Sequence, residues 1–184
     1  MLTEDYIMRM ISQALAVIMI ALGLKRSQKY KEALQTFDQA LESLLGLNAN
    51  LVNRLEDSGL LDRLTFMDTL DIDRTIVLAD IYREESEIHE ALGQLENSLF
   101  TAQRSLRLYL EACLASDANL TQELIQKIEL LRHKIAVASL SIETRLALQD
   151  YLDRLIASSD EFLAAAGLSR KDVLIDISTV EKLN

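Results

Sequence analysis

The chain has 184 residues, of which 49% are apolar, and it contains no proline and only five glycines. Because proline and glycine interrupt helices, this composition predicts an all-α protein, and the length favours a single domain over residues 1–184. The formal net charge is −10, and no run of Lys and Arg is longer than Lys25-Arg26 or Arg170-Lys171, which argues against nucleic-acid and anionic-membrane partners.

The first predicted element is a helix from about Glu4 to Arg26, with Thr3 as its N-cap. Its second half, Ala14 to Leu24, is an uninterrupted run of apolar residues and glycine. This run is shorter than the roughly 20 residues that a membrane span needs. A signal peptide begins with basic residues, but Asp5 precedes the run and Lys25 follows it. We therefore expect a cytoplasmic protein without a membrane segment.

The second predicted helix runs from Tyr30 to Leu45 and ends at Gly46, which supplies its C-cap. One stripe of this helix carries Tyr30, Ala33, Phe37 and Ala40 at spacings of three and four. The two alanines allow a neighbouring helix to approach closely, and the two rings fill the space beside them. The pattern predicts a helix–turn–helix pair with the preceding helix.

The rest of the chain predicts further helices. Residues 47–70 are typical of two short helices separated by a break at 57–59, and long helices follow over about 71–92 and 94–115. Further helices are predicted to start at Asn119, at an N-cap of Ser141 or Ser139, and at a capping box over 158–161. Residues 168–184 predict a short helix with a frayed tail.

These features resemble a tetratricopeptide repeat (TPR), whose signature ends in an Ala-x3-Phe run. The resemblance covers about residues 14–47. It also covers, in a weaker copy, about 79–112, where Ser98, Ala102 and Ser105 take the places of Ala33, Phe37 and Ala40. Tandem TPRs repeat about every 34 residues, so 48–78 is interpreted as an irregular insertion and 119–182 as C-terminal helices. The start DYIMRMI and the later HEALG are similar to an uncharacterised bacterial family of TPR-like proteins of unknown function.

Two acidic clusters invite a metal-site interpretation. Glu85 and His89 lie four residues apart, but the Glu-x-x-His motif of bundle di-metal sites is missing, so the residues around them are interpreted as a solvated acidic face. The acids of the segment MDTLDIDR, Asp68, Asp71 and Asp73, lack the glycine and glutamate of a calcium loop and are interpreted as helix-start acids. We expect no metal site.

The other reactive residues predict no chemistry either. His133 follows Glu129 by four residues, which indicates an ordinary surface pair. Cys113 is the only cysteine, so it excludes an intramolecular disulfide, and it lies on an apolar stripe as a buried small residue. No phosphate-binding loop or Ser/His/Asp set is present. We therefore expect no cofactor and no catalytic site.

The first helix is the remaining candidate for function. By resemblance, the first helix of a TPR lines a groove, which implies that Leu15, Ile18 and Leu22 bind a partner. Because 14–24 is apolar all round, we expect it to be enclosed on every side. Three alternatives are considered for what encloses it: its own domain, a second copy in a homodimer, or an apolar helix or peptide of another protein.

The expected function is therefore a non-catalytic protein-interaction or scaffold module of TPR-like type. The alternatives are a homodimeric structural protein whose first helix serves only self-association and an enzyme with an unrecognised site.

Overall fold

A computed structural model describes residues 2–116, 118 and 120–184, and it confirms the all-α class. The described residues form these elements: α1 Leu2–Arg26, α2 Tyr30–Leu45, α3 Ala49–Val52, α4 Asp57–Leu64, β1 Thr65–Phe66, β2 Thr69–Leu70, α5 Ile72–Ala91, α6 Leu95–Leu114, α7 Gln122–Lys134, α8 Ile142–Ala157, α9 Asp160–Ala165 and α10 Arg170–Glu181. They divide within α6 into two compact units, 1–108 and 109–184. A single domain over 1–184 stays a prediction.

Helices α1 and α2 form the predicted pair in the first unit. The stripe of α2 is interior, because Ala33, Phe37 and Ala40 have no exposed surface. Helix α2 ends as predicted at Gly46, whose φ of 65° is left-handed and whose N–H donates to the Glu42 carbonyl. A residue with a Cβ adopts this conformation only at a cost, which is why glycine suits the position.

The segment between α2 and α5 follows the prediction only in part. Two short helices are present, but 57–59 form the first turn of α4 and are not a break. Thr65–Phe66 and Thr69–Leu70 form an antiparallel hairpin within the stretch 47–70, where the sequence predicted only short helices. The turn residues Met67 and Asp68 have φ values of 49° and 60°, as the two central residues of a type I′ turn require. Neither the two-residue strands nor the turn residues Met67 and Asp68 give a recognisable hairpin pattern in the sequence.

Helices α5 and α6 form a second helical pair. The Ser86 hydroxyl on α5 donates to the Ser98 carbonyl on α6 at 2.8 Å, and the Ser105 hydroxyl on α6 donates to the Ala79 carbonyl at 2.8 Å. Ser98, Ala102 and Ser105 are buried, so the small positions predicted for the weaker repeat do lie at a close contact. The TPR-like stacking of the two pairs stays a prediction.

The start of α5 is tied to the end of α2. Asp71 is the N-cap of α5 and accepts a hydrogen bond from the Arg74 backbone N–H at 3.1 Å, which confirms the interpretation of Asp71 as a helix-start acid. The Arg74 side chain donates to the Leu44 carbonyl in the last turn of α2, at 2.8 Å from Nη2. A cation on the final carbonyls of a helix satisfies acceptors that the helix itself leaves open.

The second unit consists of helices with local polar caps. The predicted start at Asn119 lies outside the described residues. In helices α7 to α10 the side chain of the N-cap residue accepts a hydrogen bond from a backbone N–H of the first turn. These N-cap residues are Thr121 for α7, Ser141 for α8, Ser159 for α9 and Ser169 for α10. The helix predicted in 168–184 is confirmed as α10. The final residues were predicted as frayed, and the helix ends at Glu181.

A buried polar network joins α7, α8 and α10. The Tyr151 hydroxyl donates to Glu129 Oε1 at 2.9 Å, and Arg132 donates to both Glu129 oxygens and to Asp176 Oδ2 at 2.5 Å. The surface pair predicted for Glu129 and His133 is therefore wrong, because Glu129 is buried and its partners are Tyr151 and Arg132. Beside this network lies the predicted core of α8, Leu148, Leu152 and Leu155, which has no exposed surface.

Replacing Ala33 or Ala40 with leucine is expected to lower the free energy of unfolding by about 1–3 kcal/mol, because the contact around α2 leaves no room for extra methyl groups. Urea unfolding measures the loss. Gln39→Leu, at an exposed position of the same helix, is the matched control. Equal stabilities for the three variants would show that the alanine stripe is not a tight contact.

Candidate functional site

Helix α1 buries one narrow face. Ile11, Ala14, Ile18 and Ala21 are at most 8% exposed, and they lie at spacings of three and four where α1 packs along α2 and α5. Two of the four are alanines without exposed surface, so the helices approach closely on this side. The buried face is therefore chosen by residue size as well as by apolar character.

The three residues predicted to bind a partner do not share one surface. Ile18 is interior, Leu22 is half-buried, and Leu15 is 46% exposed. The reason is rotational: on a helix, Ile18 falls among the residues that face α2, whereas Leu15 falls at the edge of that face. Of the predicted set, Leu15 is the residue that the first unit leaves most open to solvent.

The side of α1 that points away from α2 is largely apolar and exposed to solvent. It is defined here as the outer face of α1 and comprises residues that are all exposed: Met8, Ser12, Leu15, Ala16, Met19, Ile20 and Gly23. Only 28% of the apolar window within Asp5–Arg26 is buried, so of the three alternatives for what encloses the helix, its own domain supplies only a part, and a second copy or another protein stays a prediction. By length and composition alone, Asp5–Arg26 could also span a membrane.

The C-terminal end of α1 is joined to α5 by ion pairs. Lys25 Nζ lies 2.6 Å from Glu84 Oε2 and 2.5 Å from Glu87 Oε2. Burial disfavours the ammonium, but the hydrogen bonds to the two carboxylates outweigh it and raise the pKa of Lys25. Burial likewise opposes ionisation of Glu84, and its bonds from Lys25 and Arg83 outweigh this and lower the pKa of Glu84. Lys25 therefore holds the end of α1 to α5.

The solvated acidic face predicted around Glu85 is also wrong in part. Glu84 is half-buried in the ion pairs just described, and Glu85 is only 7% exposed. Within the part of the chain that the structure describes, no hydrogen bond or ion pair reaches the Glu85 carboxylate. A signal was available in the sequence: position 85 falls between Tyr82 and Ile88 on the buried side of α5.

Glu85 lines a pocket in the first unit with a volume of about 270 Å³. This pocket, called the Glu85 pocket below, lies where α2, α5 and α6 meet the end of α3. The polar and aromatic residues that line it are Asp38, Asn53, Glu85, His89, Asn97, Phe100 and Thr101. Sequence analysis did not predict it, because these residues come from four separate segments.

The electrostatics of the Glu85 pocket favour a protonated acid. Burial raises the pKa of Glu85 to about 8, the negative charge of Asp38 adds to the rise, and Arg104 opposes it. Burial and the charge of Glu42 also raise the pKa of Asp38, against a hydrogen bond from Asn53. Two neighbouring carboxyl groups thus both resist ionisation.

Other predicted sites hold no unusual chemistry. Cys113 is buried as predicted, and burial raises the pKa of its thiol to about 11, which leaves it protonated at neutral pH. Among the described residues, no group of three or more His, Cys, Asp and Glu side chains could hold a metal ion. The outer face of α1 and the Glu85 pocket are therefore the two candidate sites.

No protein-family model matches the chain, and comparison with the curated proteins and with the solved structures finds no match either. The TPR resemblance stays an expectation from the sequence. The function is consequently inferred from the two candidate sites.

Replacing Glu85 with glutamine is expected to stabilise the protein increasingly as pH rises. The folded protein keeps a proton on Glu85 up to about pH 8, whereas an exposed glutamate loses it near 4.5. The stability due to this proton is complete below pH 4.5 and is lost as pH rises through about 8. Between these values the advantage of Glu85→Gln should grow by about 1.4 kcal/mol for each pH unit as an upper limit.

Urea unfolding across this pH range measures the difference in unfolding free energy. Glu96→Gln, on the exposed start of α6, is the control and should show no such growth. A constant difference between wild type and Glu85→Gln would contradict the buried, protonated state of Glu85.

Proposed function

We propose that the chain is a non-catalytic protein-interaction module of TPR-like type, which binds an apolar helix on the outer face of α1. The observation that supports this is the exposure of Met8, Met19 and Ile20, which are 61%, 66% and 61% exposed on one long helix. Burying one such side chain contributes about 1.5–3 kcal/mol. A contiguous apolar surface of this kind is typical of a binding interface.

The occupant that this face fits best is a second copy of α1 in antiparallel orientation. If the pair is centred between Leu15 and Ala16, Met8 of one copy lies opposite Gly23 of the other, and Met19 lies opposite Ser12. Large side chains then meet small ones, as helix packing requires. A Cβ added at Gly23 would meet nothing within 4 Å, so this position has room for a partner side chain.

Charge agrees with the antiparallel arrangement. In the same register Asp5 of one copy lies opposite Arg26 of the other, and both residues are exposed in the single chain. A parallel pair would instead place the two Asp5 carboxylates together and the two Arg26 guanidinium groups together, which is unfavourable. The antiparallel contact is self-complementary, as a two-fold symmetric dimer requires.

Two lysine substitutions on adjacent residues of α1 test the proposal. Met19→Lys should leave the fold intact and dissociate the dimer, because position 19 is exposed in the single chain and buried only by the partner. Ile18→Lys should lower the unfolding free energy by several kcal/mol or prevent folding, because it buries an unpaired charge against α2. Sedimentation equilibrium gives the mass, and circular dichroism with urea gives the stability.

The wild-type chain should have the mass of a dimer, and Gly23→Leu, which fills the space opposite Met8, should weaken the dimer without unfolding it. A monomeric wild-type chain, or dimers of equal strength in wild type, Met19→Lys and Gly23→Leu, would contradict the self-association. A monomer that co-floats with neutral phosphatidylcholine vesicles through Met19 would replace the protein partner with a membrane.

A further inference from the structure

The Glu85 carboxylate is a buried acid for which the described part of the chain supplies no partner. It is 7% exposed, it lines the Glu85 pocket, and no described residue forms a hydrogen bond or ion pair with it. Buried acids are normally paired, because removing them from water costs free energy that a partner repays. A polar group placed this way at a cavity indicates a ligand that completes it.

Arg104, whose positive charge acts on Glu85, lies over the Phe100 ring at 4.5 Å from its centroid, but its ion pair and hydrogen bonds go to other residues. Arg104 is 4% exposed, its Nε lies 3.3 Å from Asp57 Oδ1, its Nη1 donates to the Tyr82 hydroxyl at 3.2 Å, and its Nη2 donates to the Leu55 carbonyl. Lys25 is held by Glu84 and Glu87. The positive charge of Arg104 is offset by Asp57, so the pocket retains the character of its two acids.

The side chains that line the Glu85 pocket favour binding of an organic cation. Asp38 and Glu85 supply carboxylate oxygens, Asn53 supplies an amide oxygen, and Thr101 supplies a hydroxyl, which are acceptors for an N–H donor. Phe100 is half-exposed at the same pocket and offers apolar surface to an alkyl chain. A divalent metal fits less well, since the described acids and His89 form no cluster of metal-ligand geometry.

We infer that the Glu85 pocket binds a primary alkylammonium group, with Glu85 as its ion-pair partner and Asp38 as the second acceptor. No described residue of α1 lines this pocket, so amine binding and dimer formation are tested separately. The same headgroup occurs on a lysine side chain of a protein partner and on a free diamine, and the probes below distinguish these two sources.

Binding involves a balanced proton exchange. In the empty pocket at pH 7 the Glu85 carboxyl group is mostly protonated, since burial raises its pKa to about 8. The ammonium ion displaces that proton to solvent and forms an ammonium–carboxylate pair, so close to one proton is released for each amine bound. The other charged or titratable groups that face Glu85 are Asp38 on α2, Tyr82 and His89 on α5, and Arg104 on α6, which is paired with Asp57 on α4.

The test titrates the full chain with n-butylamine and follows the amide signals of residues 85 and 101 by NMR. Saturable binding is expected, about tenfold weaker at pH 7 than at pH 9, because about a tenth of Glu85 is ionised at pH 7. n-Butanol, the neutral counterpart, should not bind. Calorimetry in buffers of different ionisation enthalpy measures the released proton.

Substitutions test which carboxyl group forms the ion pair with the amine. Glu85→Gln should weaken n-butylamine binding at least about tenfold and remove its pH dependence, and Asp38→Asn should weaken it severalfold. His89→Gln should keep the pH dependence, and Glu96→Gln should bind as wild type. Tighter binding of Nα-acetyl-lysine methylamide than of 1,4-diaminobutane would assign the site to a protein lysine, and the reverse order would assign it to a free diamine.

Three results would overturn the inference. They are no saturable binding of n-butylamine at pH 9, equal affinity in wild type and Glu85→Gln, and reversal of the amine-induced NMR shifts when a divalent cation alone is added. Because Glu85→Gln removes a buried acid, it is expected to fold at least as well as wild type, so its binding result is interpretable. The dimer mass serves as the check that the two sites are separate.

Discussion

The close contact between α1 and α2 is the constraint on which the first unit depends. Alanines without exposed surface lie on both helices, at 14 and 21 on α1 and at 33 and 40 on α2. Since residues 14–24 of α1 are apolar on every side, hydrophobicity alone does not choose the side that faces inward. Residue size contributes to the choice, because Ala14 and Ala21 let the helix backbones approach on the inner side. Met8, Met19 and Ile20 are left exposed on the outer face, which is the surface that the proposed function uses.

The same contact places α5 and its acids. Lys25, at the end of α1, binds Glu84 and Glu87 on α5, and Arg74 at the start of α5 binds the Leu44 carbonyl at the end of α2. With α5 held at both ends, Glu85 is turned away from Lys25 and into the Glu85 pocket. Adjacent residues on a helix point about 100° apart, so one acid is paired and its neighbour is not.

The second unit shows the opposite solution for buried charge. Glu129 accepts from both Tyr151 and Arg132, and Arg132 also binds Asp176, so each carboxylate in the network has a donor. A satisfied network of this kind joins helices and leaves no demand for a ligand. The contrast explains why the Glu85 pocket is the candidate ligand site although the network contains more charged groups.

By itself the sequence determined what local interactions determine: the all-α class, most helix ends, and the small positions at 33, 40, 98 and 105. N-caps such as Ser141 and Ser169 and the left-handed Gly46 act within a few residues, so they are legible without the fold. The hairpin at 65–70 was missed because its turn residues, Met67 and Asp68, are not the usual Asn-Gly pair.

Only the tertiary structure decided which side of each helix meets a neighbour. It separated Ile18 from Leu15, although both belong to the same apolar run, and it buried Glu85 beside Asp38, Phe100 and Thr101 from other helices. The physical reason is that burial depends on which segments come together, whereas the pattern along one helix records only its own sides. The apolar run therefore predicted that α1 is buried, and the fold decided which of its sides the first unit buries.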